Sequence, residues 1–381
     1  MDNSNIVFPI QMYDPTRDFK KHESEYRLAI DQVLLKGNFI GGEQVMELEK
    51  QLSVYTGCEN VITCANGTDA IFIALLGLGI GPGDEVITVA HTWISTAETI
   101  AMTGAIPVWV DIDPETFCID PKLIEAKITS KTKAILPVSL YGLMPDYQAI
   151  KEIADKYNIP VIEDGAQSFG ADRNSYKSCS CKYTDIATTS FFPTKPLGCY
   201  GDGGAIFVKD KELAKKIRAI KSHGGLERFK HKYIGMNSRL DTLQASVLLV
   251  KMKYLDEVLD ARRKCAEYYT SKLIEFNLKD IILPVVSDNC IHVWAQYSIW
   301  AKDKEQRDKI VDELKKSGVN VAIFYPVPLS EQECFKDIDK SNLDFTTSVC
   351  DRVFNLPCYG EITLKEQDYI IDKIKKYYKN I

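Results

Sequence analysis

The sequence predicts an α/β protein, with a large domain built on a mostly parallel sheet and a smaller α+β domain at its C-terminal side. Between residues 59 and 208, short runs rich in Val and Ile alternate with helical patterns, as in sheets covered by helices on both faces. After residue 239 this alternation gives way to one long helical stretch. The 381 residues also exceed the length at which a single core usually stops growing. We therefore predict a large domain over residues 1–250, including the N-terminal segment, and a small domain over residues 251–381.

The elements are predicted in the order in which strand-like and helix-like runs follow each other. In the large domain the strand-like runs are "NVITCA", "DEVITVA", "IPVWVDI", "KAILPVSL", "IPVIEDGA", "DIATTSFF" and "GGAIFVKD". The helix-like runs are "GTDAIFIALLGLGI", "WISTAETIAMTG" and "PDYQAIKEIADKYN". No full helix separates the last two strand-like runs. A helix over Leu240–Phe276 leads into the small domain, which contains "HVWAQYSIWA", "EQRDKIVDELKKSG", "VNVAIFYP" and a lysine-rich C-terminal helix.

Composition argues against several classes of protein. The chain has 47 Lys and Arg against 53 Asp and Glu, which are interspersed, so no basic stripe for nucleic acid is present. The apolar run Ala70–Gly81 is too short for a membrane span, which needs about 20 residues, and no signal-peptide pattern is visible at the N-terminus. Eleven scattered cysteines favour reduced thiols in the cytoplasm. Neither the pair Cys179 and Cys181 nor the five histidines have metal-ligand spacing, so no metal is expected.

Polar residues follow several strand-like runs, at the sheet edge where proteins of this architecture bind ligands. Asn66, Gly67, Thr68 and Asp69 stand between a strand and a helix. Backbone N–H groups at a helix N-terminus, together with a threonine hydroxyl, would bind a phosphate. An ordinary N-cap is the alternative, because Thr and Asp are favoured there in any protein.

Two adjacent carboxylates, Glu163 and Asp164, end another strand-like run. Neighbouring residues on a strand point to opposite faces, so only one of the two can enter a given pocket. A carboxylate buried there needs a partner, which would be a protonated ring nitrogen or, as the alternative, an Arg or Lys side chain.

Lys195 lies between Pro193 and Pro196 in the stretch "SFFPTKPLGCYGDGG". The two prolines restrain its backbone, and the mostly uncharged surroundings would lower the pKa of its ammonium group. A lysine in such a position is a candidate Schiff-base nucleophile. The alternative is a loop lysine paired with a nearby acid.

Taken together, a phosphate cradle, an aspartate after a strand and a lysine after a later strand match what pyridoxal phosphate needs. Trp93, after another strand-like run, would add a flat face for the ring, although core packing explains a tryptophan equally well. Competing motifs are missing from the sequence: no G-x-G-x-x-G follows a first strand, and neither G-x-x-x-x-G-K-[ST] nor G-x-S-x-G occurs.

With these residues in place, the sequence resembles the DegT/DnrJ/StrS-type nucleotide-sugar aminotransferases, which are pyridoxal 5'-phosphate (PLP) enzymes of fold type I, with the aspartate aminotransferase-like fold. The resemblance extends over nearly the whole chain and is strongest for the branch that aminates 3-keto sugars. It rests on the segments "GTDA", "GPGDEVITVAHTWISTAET", "VIEDGAQSFGA", "SFFPTKPLGCYGDGGAIF" and "NSRLDTLQA".

The resemblance implies roles in cofactor binding. Lys195 would form the internal aldimine with PLP and carry the proton in catalysis. Asp164 would pair with the pyridinium nitrogen, and Gln167 would bond near the phenolate oxygen. Trp93 would stack on the ring. The phosphate would be held by Gly67, Thr68, Ser190 and, from the other subunit, Asn237.

The resemblance also implies a homodimer with shared active sites and a wall that faces the sugar. Arg239 would meet a carboxylate or polar substituent of the substrate, and Tyr325 and Phe324 would line the pocket. Relatives often carry a histidine where this chain has Phe324. That departure leaves the identity of the sugar open and favours an apolar contact at this position.

The implied reaction is a glutamate-dependent amination of a UDP- or dTDP-linked 3-keto hexose, in which the cofactor alternates with its pyridoxamine phosphate form. The implied setting is the biosynthesis of a surface polysaccharide such as O-antigen. The enzymatic alternative is amination at C4 of a 4-keto-6-deoxy sugar. Related sugar dehydratases have histidine in place of the lysine, so Lys195 favours amino transfer. A regulatory protein that kept the fold is a further alternative, which would have lost the cofactor contacts.

Overall fold

The structure, a computed structural model, describes residues 6–278, 280–287, 289–340 and 342–379. The strands are β1 (Asn60–Cys64), β2 (Glu85–Val89), β3 (Ile106–Val110), β4 (Thr132–Ile135), β5 (Ile162–Asp164), β6 (Asp172–Arg173), β7 (Tyr176–Lys177), β8 (Ile186–Ser190), β9 (Gly204–Val208), β10 (Cys290–Ile291), β11 (Tyr297–Trp300) and β12 (Val353–Leu356). The helices are α1 (Pro15–Lys21), α2 (Glu23–Lys36), α3 (Glu43–Thr56), α4 (Gly67–Leu78), α5 (Ser95–Met102), α6 (Pro121–Ile124), α7 (Tyr147–Lys156), α8 (Lys211–Ile220), α9 (Thr242–Glu275), α10 (Lys304–Lys316), α11 (Asp344–Arg352) and α12 (Leu364–Lys379).

The large domain contains two groups of hydrogen-bonded strands that together form one layer. One set has the order β1-β9-β8-β5 and the other has the order β3-β2-β4. Parallel bridges from Ile135 to Val161 and from Val138 to Asp164 join β4 to β5, so that the order across the layer is β1-β9-β8-β5-β4-β2-β3. Strand β9 runs antiparallel to its neighbours β1 and β8, and the other pairings are parallel. The carboxyl ends of the parallel strands therefore share one edge.

Apolar side chains cover both faces of this layer, as the Val- and Ile-rich runs predict. On one face Ile186 and Ile206 pack with residues of α4 and α8. On the other face Phe207 packs with residues of α3 and α9. Successive residues of a strand point to opposite faces, so Ile206 and Phe207 belong to different clusters. Burial of both faces is what stabilises a mostly parallel sheet.

The small domain has its own hydrophobic core. Strands β11 and β12 pair antiparallel, and helices α10 and α12 pack with them and with the C-terminal half of α9. The N-terminal segment joins this core at Ile10, which forms a parallel bridge with Val319. Helix α9 is one continuous element of 34 residues, and the predicted domain boundary between residues 250 and 251 falls inside it. None of the described helices is long and apolar enough to cross a membrane.

Candidate active site

Lys195 lies in the loop that joins β8 to β9, at the carboxyl edge of the sheet. The base of the loop is closed by the pairing of Ser190 with Gly204. Within the loop, the backbone N–H of Lys195 donates to the carbonyl of Phe192 at 2.9 Å. A β-carbon at Gly198 would lie 2.6 Å from the Pro193 carbonyl oxygen, so this tight turn requires a residue without a side chain.

Lys195 is partly buried. Burial lowers the pKa of its ammonium group from the usual range, and the negative charge of Asp164 partly opposes this shift. A lowered pKa leaves more of the amine neutral, which is the form that attacks an aldehyde.

Asp164 ends β5, next to β8, and is buried. The hydroxyl of Thr96 donates to its Oδ2 at 2.8 Å, and the backbone N–H of Ala166 donates to its Oδ1 at 3.2 Å. Burial raises the pKa of this carboxyl group, whereas the two hydrogen bonds and the charge of Lys195 lower it. The carboxylate is thus placed where a cation would stabilise its ionised form.

The neighbouring carboxylate of Glu163 points elsewhere, as the alternation along a strand predicts. It accepts hydrogen bonds from the Ser178 hydroxyl at 2.5 Å and from the backbone N–H of Cys179 at 3.0 Å. Burial raises the pKa of Glu163 to about 7. Only Asp164 of the pair contacts Thr96 and senses the charge of Lys195.

The predicted phosphate residues Gly67, Thr68 and Ser190 come together at the N-terminus of α4. A β-carbon at Gly67 would lie 2.7 Å from the β-carbon of Ser190. The hydroxyl of Thr68 lies 2.7 Å from the hydroxyl of Ser95, a residue that sequence reasoning did not single out. Helix α4 begins with its Asn66 side chain accepting a hydrogen bond from the Asp69 N–H at 2.7 Å, as in an ordinary N-cap. The small residues leave the first backbone N–H groups of α4 open to an anion.

Gln167, Tyr325 and Trp93 form a second side of the site. The Oε1 atom of Gln167 accepts from the backbone N–H of Tyr141 at 2.8 Å, and its Nε2 donates to the hydroxyl of Tyr325 at 3.2 Å. The ring of Trp93 is 58% exposed and lies 6.1 Å from the Tyr325 ring, centroid to centroid. An exposed indole beside these polar groups offers a flat apolar face to a ligand. It is not a core residue.

The predicted pair Asn237 and Arg239 lies on the surface beside the turn that leads into α4. Both side chains are exposed and line a cleft of about 490 Å³ together with Asn66 and Asp202. Ser238 between them is buried, and its hydroxyl accepts from the backbone N–H of Ala65 at 3.1 Å. The segment is therefore anchored to the same strand-to-helix turn that carries Gly67.

Several residues of the site had not been predicted: Thr96, Ser95, Tyr141 and His91. Thr96 lies three residues after Trp93, in a motif that was noted only for its tryptophan. Its hydroxyl could have been suspected because a buried carboxylate needs a donor, but the sequence offers many hydroxyls and does not say which one reaches Asp164.

A lysine, a buried aspartate and a helix N-terminus at the edge of an α/β sheet are the groups that a phosphorylated aldehyde cofactor requires. The chain belongs to the DegT/DnrJ/EryC1/StrS aminotransferase family, whose profile matches residues 20–375. This match confirms the predicted family, and with it a PLP-dependent sugar aminotransferase of fold type I. The individual roles of the site residues and the domain boundary stay predictions.

Proteins with similar sequences include two that are named as aminotransferases of UDP-linked sugars and one that is named as a regulatory protein. The chain is 47% identical over 347 residues to the UDP-2-acetamido-2-deoxy-3-oxo-D-glucuronate aminotransferase of Pseudomonas aeruginosa, with 90% of this chain and 94% of that protein covered. It is 37% identical over 353 residues to the UDP-N-acetyl-3-dehydro-α-D-glucosamine 3-aminotransferase of Acidithiobacillus ferrooxidans, covering 93% and 94%. A protein of Geobacillus stearothermophilus named a pleiotropic regulatory protein is 42% identical over 374 residues, covering 97% and 99%.

Solved structures agree with the fold. A DegT/DnrJ/EryC1/StrS aminotransferase from Brucella abortus superposes with a TM-score of 0.92 at 37% identity, covering 97% of this chain and 99% of that one. NtdA from Bacillus subtilis, solved with the cofactor PMP bound, superposes with a TM-score of 0.89 at 35% identity, covering 100% and 89%. The predicted fold class is confirmed by these likenesses.

Proposed function

We propose that the protein transfers the amino group of L-glutamate to the 3-keto group of a nucleotide-linked hexose. The observation that carries the proposal is the 47% identity to an aminotransferase named for a UDP-linked 3-oxo sugar, of which 94% of the length is covered by the match. The bound cofactor is PLP, which alternates with pyridoxamine phosphate. The regulatory alternative is not favoured, because Lys195, Asp164 and the cradle at Gly67 are all retained.

The described residues fit PLP. Because Gly67 has no side chain, the start of α4 can approach Ser190, and the small residues Gly67, Thr68 and Ser190 then surround the helix N-terminus, where a phosphate would be held. The buried carboxylate of Asp164 suits a protonated ring nitrogen, and the amine of Lys195 suits the aldehyde. When bound, the cofactor supplies an electron sink for the carbon that exchanges the amino group.

The chain's own residues supply proton transfer and electrostatic control. Because burial lowers the pKa of Lys195, more of its Nζ is neutral than in an ordinary lysine, and this atom can accept a proton and return it. Thr96 and Ala166 donate hydrogen bonds to Asp164, which favour its ionised form against the effect of burial on its pKa. Gln167 keeps Tyr325 in place, and Trp93 covers the site with an apolar face.

The sugar is expected to contact the wall made of Phe324 and Tyr325 and the fork of Arg239, which can hold a carboxylate with two hydrogen bonds. The proposal includes a homodimer in which Asn237 and Arg239 act on the partner's site. Support comes from the loop just before them, where Phe229 is 83% exposed and Ile234 is 96% exposed. We take these two side chains to be part of the surface that meets the partner subunit.

The proposal also places the enzyme in the cytoplasm, in the supply of amino sugars for a surface polysaccharide such as O-antigen. Nucleotide-linked sugars are the activated precursors from which glycans are built, and the product proposed here belongs to this chemical class. Whether the nucleotide is UDP or dTDP is decided by the assay below.

A panel assay tests the proposal. The purified protein is incubated with PLP, glutamate and UDP- or dTDP-linked 3-keto and 4-keto hexoses, and the products are identified by mass spectrometry and NMR. We expect a 3-amino sugar and an equal amount of 2-oxoglutarate. A 4-amino product would establish the C4 alternative, and the absence of any amino sugar would refute the proposed reaction. Lys195→Ala should abolish turnover, whereas the control Thr194→Ala, which changes an exposed neighbour, should not.

A further inference from the structure

His91 is a buried histidine at the edge of the site to which the reaction assigns no task. It is fully buried, and burial lowers its pKa to about 3, so the ring is neutral at working pH. Its Nε2 lies 2.7 Å from the hydroxyl of Tyr141, and its Nδ1 lies 3.3 Å from the sulfur of Cys350. Both nitrogens therefore have partners, one from the large domain and one from α11 of the small domain.

The partners fix which nitrogen carries the proton. The Tyr141 hydroxyl makes a short hydrogen bond to the carbonyl oxygen of Phe324, which can only accept, so the tyrosine hydrogen is used there. Nε2 of His91 must then donate to the tyrosine oxygen. Nδ1 is left as an acceptor for the thiol of Cys350.

Tyr141 in turn belongs to a closed circuit of hydrogen bonds around the wall at Phe324 and Tyr325. Its side chain bonds the Phe324 carbonyl, and its backbone N–H bonds Gln167, which bonds the Tyr325 hydroxyl. The backbone N–H of Phe324 is also held, by the side chain of Asn355 at 2.9 Å. Hydrogen bonds thus hold the wall at the backbone of Phe324 and at the hydroxyl of Tyr325.

We propose that His91 is a positioning residue for amination of the sugar: by donating to Tyr141 it orients the hydroxyl that holds Phe324, and so sets the place of Tyr325 in the site. This inference rests on the proposed function, in which Phe324 and Tyr325 face the sugar. Gln167, the member of the circuit expected near the cofactor, bonds the backbone of Tyr141 and not the hydroxyl that His91 orients. The effect of His91 should therefore be larger on the sugar than on the cofactor.

Substitutions can separate the donor at Nε2 from the rest of the ring. The amide nitrogen of glutamine can reach the place of Nε2, whereas that of asparagine falls near the place of Nδ1. We expect His91→Asn to raise the KM for the keto sugar about tenfold, the factor that corresponds to one net hydrogen bond of about 1.4 kcal/mol. His91→Gln should restore most of the loss. Tyr141→Phe should act like His91→Asn, and the double variant should be no worse than either single one, because the three groups form one chain.

The experiment measures kcat and KM for the sugar, the rate of the glutamate half-reaction from the cofactor absorbance, PLP affinity and the melting temperature of each holoenzyme. The inference predicts a raised KM for the sugar. It also predicts that the rate of the glutamate half-reaction and the affinity for PLP each change by less than about twofold, which corresponds to about 0.4 kcal/mol. A wild-type sugar KM in His91→Asn overturns it. Equal loss in both half-reactions with a lowered melting temperature also overturns it, since that result marks a merely structural residue. If the wild type aminates no keto sugar, the proposed function fails and the inference fails with it, an outcome distinct from the other two.

Discussion

The backbone of Gly67 passes so close to Ser190 that a β-carbon added to the glycine would lie 2.7 Å from the β-carbon of the serine. The obstructing atom is attached directly to the backbone of β8 and cannot swing away. Helix α4 and strand β8 thus approach each other through two small residues, at the point proposed to receive the cofactor phosphate. A side chain at residue 67 would therefore force one of the two elements to move.

Gly67→Ala is therefore expected to weaken PLP binding by at least tenfold, because α4 must shift from β8 and its N–H groups then turn from the phosphate. Fluorescence or absorbance titration with PLP measures the affinity. The matched control is Gly81→Ala, where the nearest atom to an added β-carbon is the Thr103 carbonyl oxygen at 3.8 Å. Equal PLP affinity in the two variants would show that the approach of Gly67 to Ser190 does not shape the cradle.

Thr96→Val removes the hydroxyl that donates to Asp164 at 2.8 Å without changing the size of the side chain much. Hydrogen bonds to charged groups contribute about 1.5–3 kcal/mol, so we expect kcat to fall at least tenfold. Since that bond lowers the pKa of Asp164, its loss should move the acidic limb of the pH–rate profile to higher pH. Thr99→Val is the control, because the Thr99 hydroxyl bonds the carbonyl of Ser95 within the same helix. An unchanged profile in Thr96→Val would contradict the prediction.

Glu163 should make the stability of the protein depend on pH. Its folded-state pKa is about 7, above the ordinary value of 4.5, so the folded protein holds a proton that the unfolded chain has lost between these values. The free energy of unfolding should fall as pH rises through this window, by up to about 3 kcal/mol. Urea unfolding at pH 5 and pH 8 measures it. In Glu163→Gln the fall should be smaller by that amount, and parallel curves for the two proteins would disprove the assignment.

Subunit complementation tests whether Asn237 acts across a dimer. A hybrid of one Lys195→Ala subunit and one Asn237→Ala subunit contains one intact site if Asn237 serves its partner, and none if it serves its own chain. Each variant alone should have little activity, and refolding them together in equal amounts should restore about one quarter of wild-type activity. Activity that stays at the level of the single variants, although hybrids are detected by native mass spectrometry, would place Asn237 within its own subunit's site.

The sequence was sufficient for the sheet and for the residues at its carboxyl edge. Runs of Val and Ile marked the strands, and Thr68, Asp164 and Lys195 were found because each follows such a run. These are local signals, since a residue at the end of a parallel strand is at the sheet edge in any member of this architecture.

The contacts that complete the site could not be predicted in the same way. Tyr141 bonds the carbonyl of Phe324, which lies 183 residues further along the chain. Such a pair depends on how the small domain packs on the large one, and no periodic pattern encodes it. Thr96 of α5 likewise bonds Asp164, which lies 68 residues further along the chain.

Helix α9 contributes Leu248 and Leu255 to the core of the large domain and Tyr269 and Leu273 to the core of the small domain. With 34 residues it is about 51 Å long, at 1.5 Å per residue. The two domains thus share one continuous helix and are not joined by a flexible linker. Cutting the chain between them would therefore take part of this helix away from one of the two cores. A break between Leu255 and Tyr269 would separate the part of the helix that packs in one core from the part that packs in the other. A hinge there would need to interrupt consecutive backbone hydrogen bonds.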